Sequence, residues 1–155
     1  MKIKDVGSDR TVINQGVSHI RSEFLMNSLC VLDGDCKERN VRRWIRSDRG
    51  ERDEINPEYL FLPGDNLAPE KWVVAQLQQQ EYRNAFAAQF NCTIQEAVDH
   101  IQALTVGQDH HDIGHILNQR TNIDNTDCIQ RTARAIATLH PQLDPLREKV
   151  ASLLN

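Results

Sequence analysis

The junction between Leu29-Cys30-Val31-Leu32 and Asp33-Gly34-Asp35 constrains this chain more than any other stretch. A short, fully apolar run suits a parallel strand covered on both faces. The residues behind it suit the end of that strand: Gly34 lets the backbone turn tightly, and carboxylates two apart along a strand point the same way. Two ionised carboxylates so placed repel one another unless a positive charge lies between them, which makes a divalent cation the natural third partner. Hard oxygen donors favour Mg²⁺ or Mn²⁺.

The surrounding pattern supplies a fold class. Met1 to Val6 reads as a short strand. Ile13, Val17, Ile20 and Phe24 follow at helical spacing, with Ser8 or Asp9 as a cap. With Leu29–Leu32 next, the order is strand, helix, strand, as in a βαβ unit. Under that reading Asp33 and Asp35 stand at the carboxyl end of a strand, where open α/β sheets place their sites. Val41, Trp44 and Ile45 again have helical spacing, and Glu58 to Leu62 is a second β-like run stopped by Pro63 and Gly64.

Beyond that point the chain reads as helical. Pro69 suits a first turn, Thr93-Ile94-Gln95-Glu96 has the form of a capping box, and Ile129, Ala133, Ile136 and Leu139 repeat an amphipathic pattern that Pro141 ends. The expected architecture is one α/β domain over residues 1–155. Its α/β part, with a small and partly parallel Rossmann-like sheet, covers 1–67, and its mainly helical part covers 68–155.

Bulk properties narrow the function classes. A chain of 155 residues is long enough to bury a real core. Its four cysteines form no C-x-x-C pair and suggest neither a zinc knuckle nor a disulfide framework, which fits a reduced, cytoplasmic setting. No apolar run approaches the ~18 residues of a membrane span, so no membrane partner is expected.

The net charge of −4 speaks against a wholly basic nucleic-acid binder, yet the charge is uneven. Lys37, Arg39, Arg42, Arg43, Arg46, Arg49 and Arg52 face only Glu38, Asp48 and Glu51, so this one segment carries +4. Lys37, Arg39, Arg42, Arg43 and Arg46 are the candidates for holding a phosphate backbone beside the carboxylates, unless the segment is simply a solvated helix. Trp44 among the arginines suits a core anchor better than a base-stacking platform.

Three segments, VLDGDCK at Val31–Lys37, FLPGDNLAPEKW at Phe61–Trp72 and DHHDIGH at Asp109–His115, occur in an order and spacing that resembles the Toprim domain of OLD-family (overcoming lysogenization defect) ATP-dependent endonucleases. The resemblance runs from about residue 3 to the C-terminus. It implies Mg²⁺- or Mn²⁺-dependent cleavage of DNA phosphodiesters, as part of a phage-defence or DNA-processing nuclease. Asp33 and Asp35 would be catalytic metal ligands, with Glu70 and Asp112 at further catalytic, metal-binding positions and Asp109 as another acidic candidate. It also implies an ABC-type ATPase domain or subunit as partner.

The chain departs from that family in three respects. There is no P-loop, and no lysine lies near Asp109–His115. The separate upstream glutamate of Toprim domains is not matched by a strand-ending acid before Asp33, since Glu23 falls late on the expected helix. These departures suggest the C-terminal part of a larger nuclease, a split subunit or a remnant, with an unpaired sheet edge that favours self-association into a homo-oligomer. Two other readings stand beside it. His110-His111-Asp112 resembles the core of HD-type metal phosphohydrolases, with His100 and with Asp124 or Asp127 completing a site, and His111 and His115 share a helix face suited to a transition metal. The amphipathic helices could alternatively belong to a non-catalytic interaction module.

Overall fold

A computed structural model describes residues 7–22, 28–64, 66–106 and 112–154. The chain forms two compact units, Met1–Leu67 together with Gln142–Asn155, and Ala68–Pro141. It is mostly helical, with a single two-stranded parallel sheet among the described residues, and so belongs broadly to the α/β class.

The first unit contains α1 (Asp9–Arg21), β1 (Leu29–Leu32), α2 (Glu38–Arg49) and β2 (Glu58–Phe61). The two strands pair in parallel, Leu29 with Glu58 through Leu32 with Phe61, and α2 is the crossover between them. β1, α2 and β2 thus form a βαβ unit, and the first strand of the unit expected from the sequence falls on residues that are not described. Met1 to Val6, Glu23 and Phe24 lie outside the described residues.

Ile13 and Val17 on α1, Cys30 and Leu32 on β1, Val41 and Ile45 on α2, and Ile55 form one buried cluster. Each large aliphatic so buried contributes roughly 1.5–3 kcal/mol. Trp44 packs against the same cluster, as a core anchor does. Val31, however, is 36% exposed and Leu29 half-buried, so the second face of β1 is only partly covered. An apolar run alone does not distinguish a strand buried on both faces from a β-branched strand with one open face. Near the C-terminus α8 (Asp144–Leu154) is tied to the start of β2 by Lys149 Nζ, 2.5 Å from Glu58 Oε1.

The second unit is all helix: α3 (Pro69–Leu77), α4 (Gln80–Phe90), α5 (Ile94–Val106), α6 (Ile113–Thr121) and α7 (Asn125–Ala137). Pro69 opens α3 as its composition suggests. The capping box at α5 forms in full: Thr93 N donates to Glu96 Oε2 at 2.8 Å, and Glu96 N donates to Thr93 Oγ1 at 3.2 Å. Trp72, Leu77, Tyr82, Phe86, Phe90, Ala97, Ile101, Leu104 and Leu117 are buried.

The inward face of α7 differs from the expected one. Cys128, Thr132, Ala135 and Ile136 are buried, while Ile129 and Leu139 are 52% and 43% exposed. Thr132 tolerates burial because its Oγ1 donates to Cys128 O at 2.8 Å. A stripe of small residues containing a satisfied hydroxyl is nearly invisible to a hydropathy pattern, which explains the shift of the face by one residue.

Candidate metal centre and cationic helix

A helix that leads into a strand and packs on it runs back along that strand, so the start of α1 meets the end of β1. Asp9, the first residue of α1, is therefore carried to the D-x-D. Its Oδ1 accepts from Asp33 N at 3.0 Å. Oxygens of Asp9, Asp33 and Asp35 all lie within 4.8 Å of one another, with Asp9 partly buried and the other two exposed. Asp9 does not cap α1 in the expected way. Ser8 occupies the N-cap but makes no capping bond to a backbone N–H, its hydroxyl lying 3.1 Å from that of Thr11.

Cys36, one residue beyond the pair, belongs to the same constellation. Burial first, and then its hydrogen bond to Asp9 and the charges of Asp9, Asp35 and Asp33, push its thiol up to about 12. The thiol accordingly stays protonated at neutral pH. The turn holding Gly34 is crowded: a Cβ there would stand 2.7 Å from Leu62 O and 2.9 Å from Pro63 O. No side chain fits, and the loops after β1 and β2 touch through backbone alone.

The cationic segment folds as α2. Val41 and Ile45 point into the core, while Arg39, Arg42, Arg43 and Arg46 are exposed on the opposite stripe, with exposed Lys37 at the N-cap. Arg42 is committed to Glu38 one turn earlier, at 3.0 and 2.6 Å, which keeps its guanidinium pKa above the ordinary value. Arg49 pairs with Asp53 at 2.5 Å. Among the described residues Lys37, Arg39, Arg43 and Arg46 take part in no ion pair and are exposed.

The remaining candidates are placed elsewhere. Glu70 stands in the first turn of α3 and Asp112 at the N-cap of α6, both in the second unit, and the carboxylate group of the first unit is built without them. Asp109, His110 and His111 lie outside the described residues. The residues that would have completed an HD-type site have structural partners. His100 Nδ1 accepts from Arg120 Nε at 3.3 Å, Asp124 caps α7 by accepting from Thr126 N at 2.8 Å, and exposed His115 contacts Gln119 at 2.8 Å.

Two residues escaped the sequence reading, Asp9 as a third carboxylate and Cys36 as its donor. The signal for Asp9 was the pairing of a helix start with the end of the following strand. Nothing in the sequence marked Cys36. Set against family models, curated proteins and solved structures, the chain matches none. No helix of the described residues is long and apolar enough to cross a membrane.

Proposed function

We propose that the first unit is a divalent-metal-dependent phosphodiesterase module acting on DNA, similar in type to the Toprim domain of OLD-family endonucleases. The observation that carries this reading is the convergence of Asp9, Asp33 and Asp35 at the carboxyl end of a parallel strand, within 4.8 Å of one another. Three hard, anionic oxygen donors suit Mg²⁺ or Mn²⁺ better than a thiophilic ion. Asp9 supplies a third carboxylate upstream of the D-x-D, from a helix start rather than from a strand end. Bound there, the metal would supply Lewis-acid polarisation of the phosphoryl oxygen and a water of lowered pKa.

The chain's own residues supply the rest. Asp33 and Asp35 would hold the ion, and Asp9 would complete the donor set. Lys37, Arg39, Arg43 and Arg46 neutralise the backbone on either side of the scissile phosphate. Their spread along α2 favours contact with successive phosphates over a single small anion.

Calorimetric titration with Mn²⁺ tests the centre. Saturable binding is expected in the intact chain, and it should disappear in the Asp33→Ala, Asp35→Ala double variant. At Mn²⁺ 100-fold above its Kd, binding should raise stability by about 2.7 kcal/mol. Nicking of supercoiled plasmid in Mn²⁺ should be lost with Asp35→Asn. Unchanged Mn²⁺ affinity in the double variant would sink the assignment, and cleavage that survives Asp35→Asn but fails in Asp112→Ala would move the chemistry to the His-rich segment.

A further inference from the structure

The loops that follow β1 and β2 enclose a shallow groove of about 570 Å³. Gly34, between the two aspartates, lines it, and so does Gly64, where a Cβ would meet Leu67 O at 2.6 Å and Gly34 Cα at 3.4 Å. The groove therefore includes two stretches of bare backbone in contact, a surface that a flat ligand can approach closely. Lys37 and Arg39, at the start of α2, contribute two cations that pair with no acid among the described residues. Glu38, also part of the lining, is neutralised by Arg42.

Phe61 is the last residue of β2. It is 36% exposed and lines this groove. Its ring meets Tyr59 at a centroid distance of 5.7 Å with the planes 80° apart. One neighbour in that perpendicular arrangement occupies at most one face of Phe61. An exposed aromatic face beside two free cations is the composition that binds an unpaired base and its flanking phosphates. A duplex offers its phosphates to such a groove but keeps its base faces stacked on one another.

We infer that the groove seats a single-stranded stretch of DNA, with one base stacked on Phe61 and the adjoining phosphates on Lys37 and Arg39. This rests on the reading of the neighbouring carboxylates as a phosphodiesterase centre and specifies its substrate as single-stranded or locally unpaired DNA. Because Gly34 belongs both to the groove and to the D-x-D turn, a strand held there presents its next phosphodiester to Asp33 and Asp35.

Fluorescence anisotropy with a labelled oligo(dT) and a hairpin duplex of equal length, in EDTA to prevent cleavage, tests the groove on the full chain. The single strand should bind more tightly than the duplex. Phe61→Ala should weaken single-strand binding about tenfold and leave duplex binding unchanged, whereas Phe61→Trp should retain it. Lys37→Ala and Arg39→Ala should each weaken binding and lower the salt slope by about 0.7. Equal affinity for the two forms, or single-strand binding indifferent to Phe61→Ala, would overturn the inference.

Retention by Phe61→Trp separates loss of stacking from loss of folding. Failure of the metal reading would show separately, as Mn²⁺ affinity that persists in the Asp33→Ala, Asp35→Ala variant, and would leave a Phe61-dependent single-strand site standing.

Discussion

The two units of this chain use their polar residues in opposite ways. In the second, charged and polar side chains are spent on architecture: Thr93 and Glu96 close a capping box, Asp124 caps α7, Arg120 donates to His100, and Arg131 Nη1 donates to Gln89 O at 3.1 Å. In the first, three carboxylates crowd together at a strand end, while Lys37, Arg39, Arg43 and Arg46 stand in solvent without an acidic partner among the described residues. Like charges brought together and cations left uncommitted are arrangements that folding alone does not reward. A ligand bound at the first unit's carboxylates would offset their repulsion, whereas the side chains named in the second unit are engaged within its own fold.

The cores differ accordingly. The first unit relies on aliphatic residues from two helices and a short sheet, whereas the second is built around aromatic rings. Phe86 and Phe90 stack at 4.3 Å, and His140 lies between Trp72 and Tyr82, at 4.7 and 5.5 Å, with its Nε2 3.3 Å from Gln76 Oε1.

The largest expected effect is on this aromatic core. Phe86 is fully buried, so Phe86→Ala should cost about 3–5 kcal/mol through lost contacts and the cavity left behind. Urea denaturation measures it. A cost below about 1 kcal/mol would show that the core of the second unit does not depend on its rings, and the contrast between the units would lose its basis.

Smaller, and confined to one helix start, is the effect of Thr93→Ala. The hydroxyl accepts from Glu96 N and donates to Glu96 Oε2 at 2.8 Å, so its removal should cost about 1 kcal/mol. The backbone N–H of Thr93 first, then its hydroxyl, and last the nearby His100 hold the Glu96 carboxyl below its ordinary pKa. In Thr93→Ala that carboxyl should titrate closer to the ordinary range, as NMR pH titration would detect. An unmoved Glu96 titration would show that the backbone N–H of Thr93 carries the shift without the hydroxyl.

These contrasts were unequally visible in the sequence. The capping box, Pro69 at a helix start, the strand ending at Asp33 and the parallel run at Glu58–Phe61 all rest on local chemistry, and short-range patterns display local chemistry well. The buried face of α7 was missed because Cys128, Thr132 and Ala135 are not oily enough to outweigh exposed Ile129 and Leu139. The helix α4 lay within the stretch read as helical but was not separated from α3, because no cap or breaker other than the glutamine run sets it apart. Within the candidate site, Asp33 and Asp35 were legible as neighbours in sequence. Asp9 lies 24 residues from Asp33, and only the packing of α1 along β1 brings the two together. The close backbone contact of Gly34 with Leu62 and Pro63 is equally nonlocal, as is the groove that opens there.

The smallest expected effect concerns pH and falls on the second unit. Burial, and then the charge of Arg120, lower the pKa of His100 from its ordinary value of about 6.5, against the weaker opposing pull of Glu96 and Asp99. The neutral ring accepts the hydrogen bond from Arg120 Nε, and a protonated ring could not. Above about 6.5 the ring is neutral in both the folded and the unfolded chain, and the contribution of this bond is fully present. As pH falls below that value the unfolded chain takes up the proton first, so stability declines through the window down to the lowered folded pKa. Melting temperature should therefore drop on acidification from pH 7 to pH 5, and His100→Gln, which keeps an acceptor but does not titrate, should make the curve flatter there. Parallel pH profiles for the two proteins would show that the acid sensitivity arises from other groups and that the Arg120 contact is incidental to it.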